Sequence, residues 1–573
     1  MKRLIALTTA LVLMLTSCAS PSQPAAGQSG APELSASQPD WAQPDDSLQT
    51  GSVASGGTAA VSSANPVASK IGAEILKKGG NAVDAAVAVS FALGLLEPNA
   101  SGVGGCGYAV YVPVEGAPAF YDYRSAAPAN FDPQAFIALS DEEQKHSVAA
   151  AGVPGAVAGW LALHKQYGRL PLNELLEPTI LLAEQGFEVL PFLASLFTDN
   201  YNLLLKDESC ATLMLNDDFP YMEGELMKNP AYAKMLEKIV AEGHDGFYKG
   251  EIAQAIVAAS DARGGTMTLE DLAGYTVQVG KPLAGTYRGY TVLTSAPSSS
   301  GGIALLESLN LLERYDLSAS GVNTAVTLHR MGEAFKIANA DRYTYVGDPA
   351  FVEIPTDILI SKAHADERAL LISDTAVLGD LDVLPDSQSK STTHLSIIDA
   401  EGNAISMTNT LGTYFGCTVG ITDWGFLLDN QLHDFSIDEW EANAPEAGKR
   451  PRSSMTPTVL LRDGKPCAAL GSPGGEAIVS TVAQIICDLV DFNLPVDEAI
   501  NLPRIYQSCT GPFVAEGGHD EAVLTALQAL GHTVQQREKL DYFFGGVHAV
   551  VRNADSTLTG AADPRRDGGV AAY

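Results

Sequence analysis

Lys390-Ser391-Thr392-Thr393-His394-Leu395-Ser396-Ile397-Ile398 is the stretch on which the reading of this chain turns. It begins where a polar linker, Asp386 to Ser391, meets a pattern that predicts a strand from His394 to Ile398. Asp399 to Asn403 reads as a turn and Ala404 to Thr410 as the returning strand. Ile398 then pairs with Ala404, and that register sets Thr410 opposite Thr392. Two adjacent threonines ahead of a strand have a plain explanation in β-propensity and capping. The register adds a chemical one. If the chain is cut just before Thr392, the freed α-amine, with an ordinary pKa of about 7.7–8.0, serves the hydroxyl as general base near neutral pH. The same hydroxyl, aimed at the carbonyl of Ser391, would make the cut itself, with Thr410 positioning it.

Downstream, Leu470-Gly471-Ser472-Pro473-Gly474-Gly475 opens an apolar helix expected from Glu476 to Phe492. Two glycine N–H groups at a helix N-terminus suit an oxyanion, although a strand-to-helix turn needing φ > 0 accounts for the same residues. A hydroxyl nucleophile, an amine base and an N–H pair together specify acyl transfer. Upstream, a helix from Val67 to Lys78 closes on Gly79-Gly80, and Asn81 opens a second one, Ala82 to Leu96, apolar nearly all round and therefore buried. Gly102-Val103-Gly104-Gly105-Cys106-Gly107 satisfies G-x-G-x-x-G, but a helix precedes it and a strand, Tyr108 to Val112, follows. A dinucleotide fingerprint needs the opposite order, so these glycines read as a place where a strand approaches another backbone closely. Residues 150 to 360 are mostly helical, including Pro230 to Glu242 with Gly243 at its end. A strand is expected at Thr286 to Leu293, and a turn, Ala296 to Gly302, leads into a helix from Ile303 to Tyr315. Strand and helix blocks in alternation indicate an α/β layered fold.

Composition narrows the function classes. The chain is 46% hydrophobic and 18% charged, enough for a large core, and Lys+Arg 35 against Asp+Glu 68 gives a net charge of −33. So acidic a surface offers nucleic acid no basic face and is repelled by anionic lipid. Lys2-Arg3, the apolar run Leu4 to Leu15 and then Thr16-Ser17-Cys18 read as a secretory leader, too short for a membrane span of about 20 residues. Leu15-Thr16-Ser17-Cys18 resembles a bacterial lipobox, whose cysteine is acylated; a plain signal peptide is the alternative. A Ser/Pro/Ala/Gln-rich stretch to about Gly51 reads as a tether. The expected location is extracytoplasmic, held to the membrane through a lipid on Cys18, or secreted without it. The other six cysteines, widely spaced, with no C-x-x-C and no HExxH in the chain, point to no metal site, and no cofactor is called for.

Thr392-Thr393-His394, Asn430-Gln431 with Asp434-Phe435-Ser436, Lys449-Arg450-Pro451 with Ser453-Ser454-Met455, and Gly471-Ser472-Pro473-Gly474-Gly475 occur in this order. With Gly80 to Ala86, Ala340-Asp341-Arg342 and Gly347-Asp348-Pro349, they resemble the gamma-glutamyltranspeptidases from about Val53 to Tyr573. The resemblance implies an N-terminal-nucleophile hydrolase with a four-layer αββα sandwich, in which leader 1–18 and tether 19–51 precede a large subunit 52–391 and a small catalytic subunit 392–573. It implies self-cleavage between Ser391 and Thr392, Thr392 as nucleophile, Thr410 as its support and Gly474 and Gly475 as the oxyanion pair. It further implies that Arg124, Ser453 and Ser454 hold a substrate α-carboxylate, and that Gln431 and Asp434 hold its ammonium. The implied substrates are γ-glutamyl amides such as glutathione, cleaved with transfer to water, an amino acid or a peptide. Two departures keep alternatives open. Gly412 stands where the family commonly has asparagine, which weakens ammonium recognition and predicts room for a bulkier acyl group. Only Ile437 to Gly448 separate Ser436 from Lys449, a short lid that predicts an open cleft. A glutaryl or cephalosporin-type acylase, a capsule poly-γ-glutamate transpeptidase and an uncut, inactive binding lipoprotein are the alternatives.

Overall fold

Every strand around Thr392 alternates side chains between two cores, and this alternation builds the architecture. The structure, a computed structural model, describes residues 51–381, 383 and 391–573. The expected leader, Cys18 and the tether up to residue 50 lie outside the described residues, as do residues 386–390 of the expected linker, whose last residue, Ser391, begins a strand. Among the described residues, no helix is long and apolar enough to cross a membrane.

Two antiparallel seven-stranded sheets lie at the centre. The first runs, edge to edge, Gly569–Ala572, Ala60–Ser63, Ser391–Ile398, Ala404–Gly412, Cys106–Val112, Ala119–Tyr123, Gln278–Gly280. The second runs Val53–Gly57, Leu558–Ala562, His548–Arg552, Lys465–Gly471, Thr458–Arg462, Tyr290–Thr294, Leu283–Tyr287. In the first sheet Leu395, Ile397, Ile405, Met407 and Ala109 join a core shared with helices Pro66–Lys77, Ala82–Leu96 and Ala156–Tyr167. Their neighbours Ile398, Ala404, Val110 and Val112 join a second core with Val459, Leu460, Ala469 and Val550 of the other sheet. That second core continues into helices Gly301–Leu312, Ala325–Tyr345 and Ala477–Val490. The order is helices, sheet, sheet, helices: the αββα sandwich. Strands buried on both faces lose the polar half of the usual alternation, which is why Ser391–Ile398 is buried at every position.

Local signals set the element ends. Asn81 and Asp84 form a reciprocal capping box at the start of Ala82–Leu96, and this helix is buried along its whole length. Pro230 starts Pro230–Glu242, and Gly243 (φ 62°) ends it. Between helix and strand, Gly105 admits the hairpin backbone: a Cβ there would lie 2.2 Å from the Thr410 carbonyl oxygen. The expected single strand at Thr286–Leu293 is instead two, Leu283–Tyr287 and Tyr290–Thr294. They turn at Arg288-Gly289, where both residues take positive φ (51° and 86°), the hairpin geometry that follows strand twist. The helix after the serine turn begins at Gly301 and ends at Leu312, earlier at both ends than expected. The six cysteines of the described residues are free thiols.

A polar seam ties the two sheets together beneath Thr392. His394 is fully buried between the Thr408 hydroxyl (2.8 Å) and the Ser396 hydroxyl (3.0 Å), and burial holds its ring well below the ordinary histidine range. The ring lies against Gly471 of the facing sheet, where a Cβ would meet it at 2.2 Å. Gly471→Ala should therefore push the sheets apart, lowering stability by about 1–3 kcal/mol, as core overpacking does. Thermal melting checks this, and the same variant should yield less cut chain on a denaturing gel.

Candidate active site

The hairpin that carries Thr392 departs from regular pairing at that residue. Pairing runs in the expected register from Ile398↔Ala404 to Thr393↔Asn409, then slips to Ser391↔Gly412, so Thr410 and Leu411 face the single residue Thr392 across a bulge. The strand begins at Ser391, three residues earlier than expected. The bulge turns three groups on one another. The Thr410 hydroxyl donates to the Ser391 carbonyl at 2.8 Å and the Thr392 hydroxyl to the same oxygen at 2.5 Å. The two hydroxyl oxygens are 3.2 Å apart, and the Gly412 N–H donates to the Thr410 oxygen at 2.8 Å. Both sides of the strand are pinned. The Arg566 guanidinium donates to the Thr392 carbonyl (3.1 Å), the Ser391 hydroxyl to the Asn99 carbonyl (2.8 Å) and the Thr393 hydroxyl to Glu97 (2.5 Å). Burial pushes the Glu97 carboxyl up to about 8, against the Thr393 hydrogen bond and Arg566.

Thr392 and Thr410 open onto a cleft with about 460 Å³ of space between atoms, part of it open to solvent. Arg124, Gln431, Asp434, Ser453, Ser454 and Gly475 line the same cleft, so eight of the expected residues converge; Gly474 stands one residue behind its wall. Gly474 (φ 127°) and Gly475 (φ 58°) turn the chain out of Lys465–Gly471 towards the helix that starts at Ala477. The Ser454 hydroxyl donates to the Gly475 carbonyl at 2.7 Å, fixing that turn.

Arg124 follows the strand Ala119–Tyr123 and is 1% exposed. Its Nε donates to the Pro451 carbonyl (3.1 Å), one terminal nitrogen to Gln431 Oε1 and the other to Asp434 Oδ2 (2.5 Å) and the Arg452 carbonyl (3.2 Å). Arg124, expected to hold a carboxylate, and Gln431 and Asp434, expected to hold an ammonium, thus satisfy one another. Gln431 and Asp434 share the short turn Gln431–Asp434, which is anchored by Asp429. Burial raises the Asp429 carboxyl to about 7, although the Ser125 hydroxyl and the Gly152 N–H (2.9 Å) donate to it.

The cleft also contains residues to which the sequence reading gave no role: Arg342, Tyr343, Arg452, Glu476 and Ser300. Arg452 donates to the Tyr343 and Val346 carbonyls (2.8 and 2.9 Å), and the Tyr343 hydroxyl to Glu476 (2.9 Å). Ala340-Asp341-Arg342 and the residue after Gly474-Gly475 were the available signals.

Gly412 corrects one expectation. Its φ is 100°, and a Cβ there would lie 2.0 Å from the Asn430 Oδ1, which accepts from the Thr413 N–H at 2.9 Å. The volume an asparagine would take is filled by Asn430, so the glycine leaves no room at that point. The short segment after Ser436 is also tied down: Asn443 donates to the Asp434 carbonyl (2.6 Å) and accepts from the Arg452 N–H (2.7 Å).

The gamma-glutamyltranspeptidase family model matches residues 68–573. The chain belongs to the gamma-glutamyltranspeptidase family. It is 38% identical to the "Acylase ACY 1 proenzyme" of Pseudomonas sp. strain SE83 over 90% of this chain and 93% of the relative. It is 37% identical to the "Glutathione hydrolase proenzyme" of Escherichia coli strain K12 over 88% and 90%. Among solved structures, a cephalosporin acylase from Bacillus halodurans superposes with a TM-score of 0.84 at 29% identity, covering 91% of this chain and 97% of its own. The chain is accordingly an enzyme of the gamma-glutamyltranspeptidase family with the N-terminal-nucleophile hydrolase sandwich.

The raised Glu97 has a measurable signature. A carboxyl protonated in the fold but ionised in the unfolded chain contributes stability that is present below the unfolded value and lost as pH climbs towards about 8. Glu97→Gln keeps an acceptor for Thr393 and removes the titration. Between pH 6 and 9 the wild-type melting temperature should fall more steeply than that of the variant; parallel curves would contradict the assignment.

Proposed function

We propose that this family member cuts itself between Ser391 and Thr392 and then uses Thr392 to cleave γ-glutamyl amides such as glutathione. The acyl group passes to water, an amino acid or a peptide. The observation that carries this reading is the Ser391 carbonyl held by the hydroxyls of both Thr392 and Thr410. Donation from Thr410 polarises that carbonyl, while the bulge keeps the Thr392 oxygen beside it. Attack forms the Oγ1–C bond, the C–N bond breaks, and the hydroxyl proton ends on the departing nitrogen. Water then splits the resulting ester into a Ser391 carboxylate and a free Thr392.

In turnover the new α-amine takes the hydroxyl proton, Oγ1 attacks the γ-carbonyl, and the amine returns the proton to the leaving nitrogen. N–H groups of Gly474 and Gly475 would steady the oxyanion. Binding exchanges one ion pair for two: the substrate α-carboxylate replaces Asp434 on the Arg124 fork, and its ammonium replaces Arg124 at Asp434, with Gln431 as neutral acceptor. Ser453 and Ser454 supply hydroxyls to the carboxylate. Arg124, Arg342 and Arg452 stand against Asp434 and Glu476 in the lining, a mixed set of charges that suits a substrate end carrying both a carboxylate and an ammonium. The leader reading adds an extracytoplasmic enzyme tethered through Cys18.

Denaturing gel and N-terminal sequencing test the cut. Wild type should give a fragment of residues 392–573 beginning at Thr392, and Thr392→Ala should stay as one 60.0 kDa band without activity. A wild type that turns over as an intact chain would end this mechanism and favour a binding protein. Substrate grip is tested by Arg124→Lys, which keeps the charge but loses the bidentate fork. KM for γ-glutamyl amides should rise about tenfold or more, in keeping with roughly 1.5–3 kcal/mol for a charged hydrogen bond. Glutaryl amides, which lack the ammonium, should be poor substrates; preferred turnover of these would favour the acylase activity named for the Pseudomonas relative.

A further inference from the structure

A second cluster of chemistry lies in the helical layer, apart from the cleft. His329 and Glu333 stand one turn apart on the helix Ala325–Tyr345, and His532 reaches them from beyond the helix Glu521–Ala529. All three are buried, and their ligand atoms lie within 4.8 Å of one another. We propose that His329, Glu333 and His532 bind one zinc-class divalent cation.

The hydrogen bonding around each donor supports this. His329 Nε2 lies 2.6 Å from the Ser373 carbonyl, which can only accept, so that nitrogen carries the proton and Nδ1 of the neutral ring offers its lone pair. A ligating histidine ordinarily has such an outer partner. His329 Nδ1 faces His532 Nε2 at 2.7 Å. Glu333 takes the Leu378 N–H on Oε2 at 2.6 Å, while Oε1 is buried without a hydrogen-bond partner on a side chain that is 0% exposed. A proton on His532 Nε2 would satisfy the ring pair and leave Glu333 Oε1 bare. One cation satisfies all three. Zinc–nitrogen bonds of about 2.0–2.1 Å in tetrahedral geometry need the two nitrogens roughly 3.3 Å apart, a small side-chain adjustment. Lys336 directs its ammonium to the Leu378 carbonyl (2.6 Å). In the other buried cluster His364 lies 2.8 Å from Asp341 and 3.4 Å from Glu307, and Arg368 pairs with Asp341, so basic side chains already face its carboxylates and it serves as a control.

The site has a structural consequence. His329, Glu333 and Ser373 precede position 391, and His532 follows it, 203 residues from His329. The intervening chain also docks by backbone, Val377 N–H to Leu530 and Leu381 N–H to Cys509 (3.1 and 3.0 Å). On the self-cleavage reading, the cation clamps the large subunit to the small one; the binding itself does not depend on that reading.

The test uses the full purified protein, loaded with Zn²⁺, dialysed and assayed for metal by mass spectrometry, with Co²⁺ as a spectroscopic probe. Wild type and His364→Gln should each retain about one equivalent, and His532→Gln and Glu333→Gln several-fold less. Co²⁺ should give wild type a visible d–d band that His532→Gln lacks. Zinc retention no higher in wild type than in the two site variants, or retention lost with His364→Gln and kept with His532→Gln, overturns the proposal. Should the variants fail to fold, wild type without a new Co²⁺ band overturns it alone.

Discussion

The Ser391 carbonyl, held between two threonine hydroxyls, is the contact around which the molecule is arranged. It exists because the strand slips by one residue at Thr392, and the slip survives because everything beside it is rigid. Arg566, Asn99 and Glu97 fix the backbone and hydroxyls on either side of the bulge. His394 and Gly471 lock the strand to the facing sheet. A bulge free to relax would restore ladder pairing and turn the hydroxyl away. Both sheets take strands from either side of position 391, so a break before Thr392 would put at risk only the Ser391↔Gly412 pair of the ladders.

Charge is organised on the same principle of mutual restraint. A chain with net charge −33 surrounds its cleft with buried arginines whose donors are engaged by carbonyls and carboxylates. The Arg124–Asp434 pair, 1% and 12% exposed at the side chains, keeps two opposite charges compensated inside the fold. Removing one partner of such a pair costs far more than exchanging it, because the survivor stays buried and uncompensated. An α-amino acid end carries the two charges needed for an exchange, which makes a zwitterion a better fit than a simple anion.

Much of this was legible in the sequence. Capping residues and glycines placed Ala82–Leu96 and Pro230–Glu242, and the turn at Asp399–Asn403 fixed the hairpin register as far as Thr393↔Asn409. What the sequence hid is long-range. The slip opposite Thr392 closes on Gly412 at φ 100°, a strand glycine that was the local signal for a bulge, while the groups that pin the slipped strand come from far along the chain. Arg288-Gly289 carries a weak turn signal, so two strands read as one. Arg342, Arg452 and Glu476 act through carbonyls and tyrosines from separate segments, and arginine beside tyrosine has no diagnostic spacing. His532 is likewise invisible as a companion of His329, since only the helix periodicity of His329 and Glu333 is local.

Asn430 and position 412 share one parcel of volume beside the catalytic hairpin. On the present backbone, side-chain bulk at 412 would meet Asn430 and would also stand at φ 100°, where any side chain is strained. An asparagine at 412 beside Asn430 therefore calls for a different local path of the backbone, not only a smaller neighbour. Redesign at 412 thus asks a turn of the main chain to move at the same time as the Asn430 side chain.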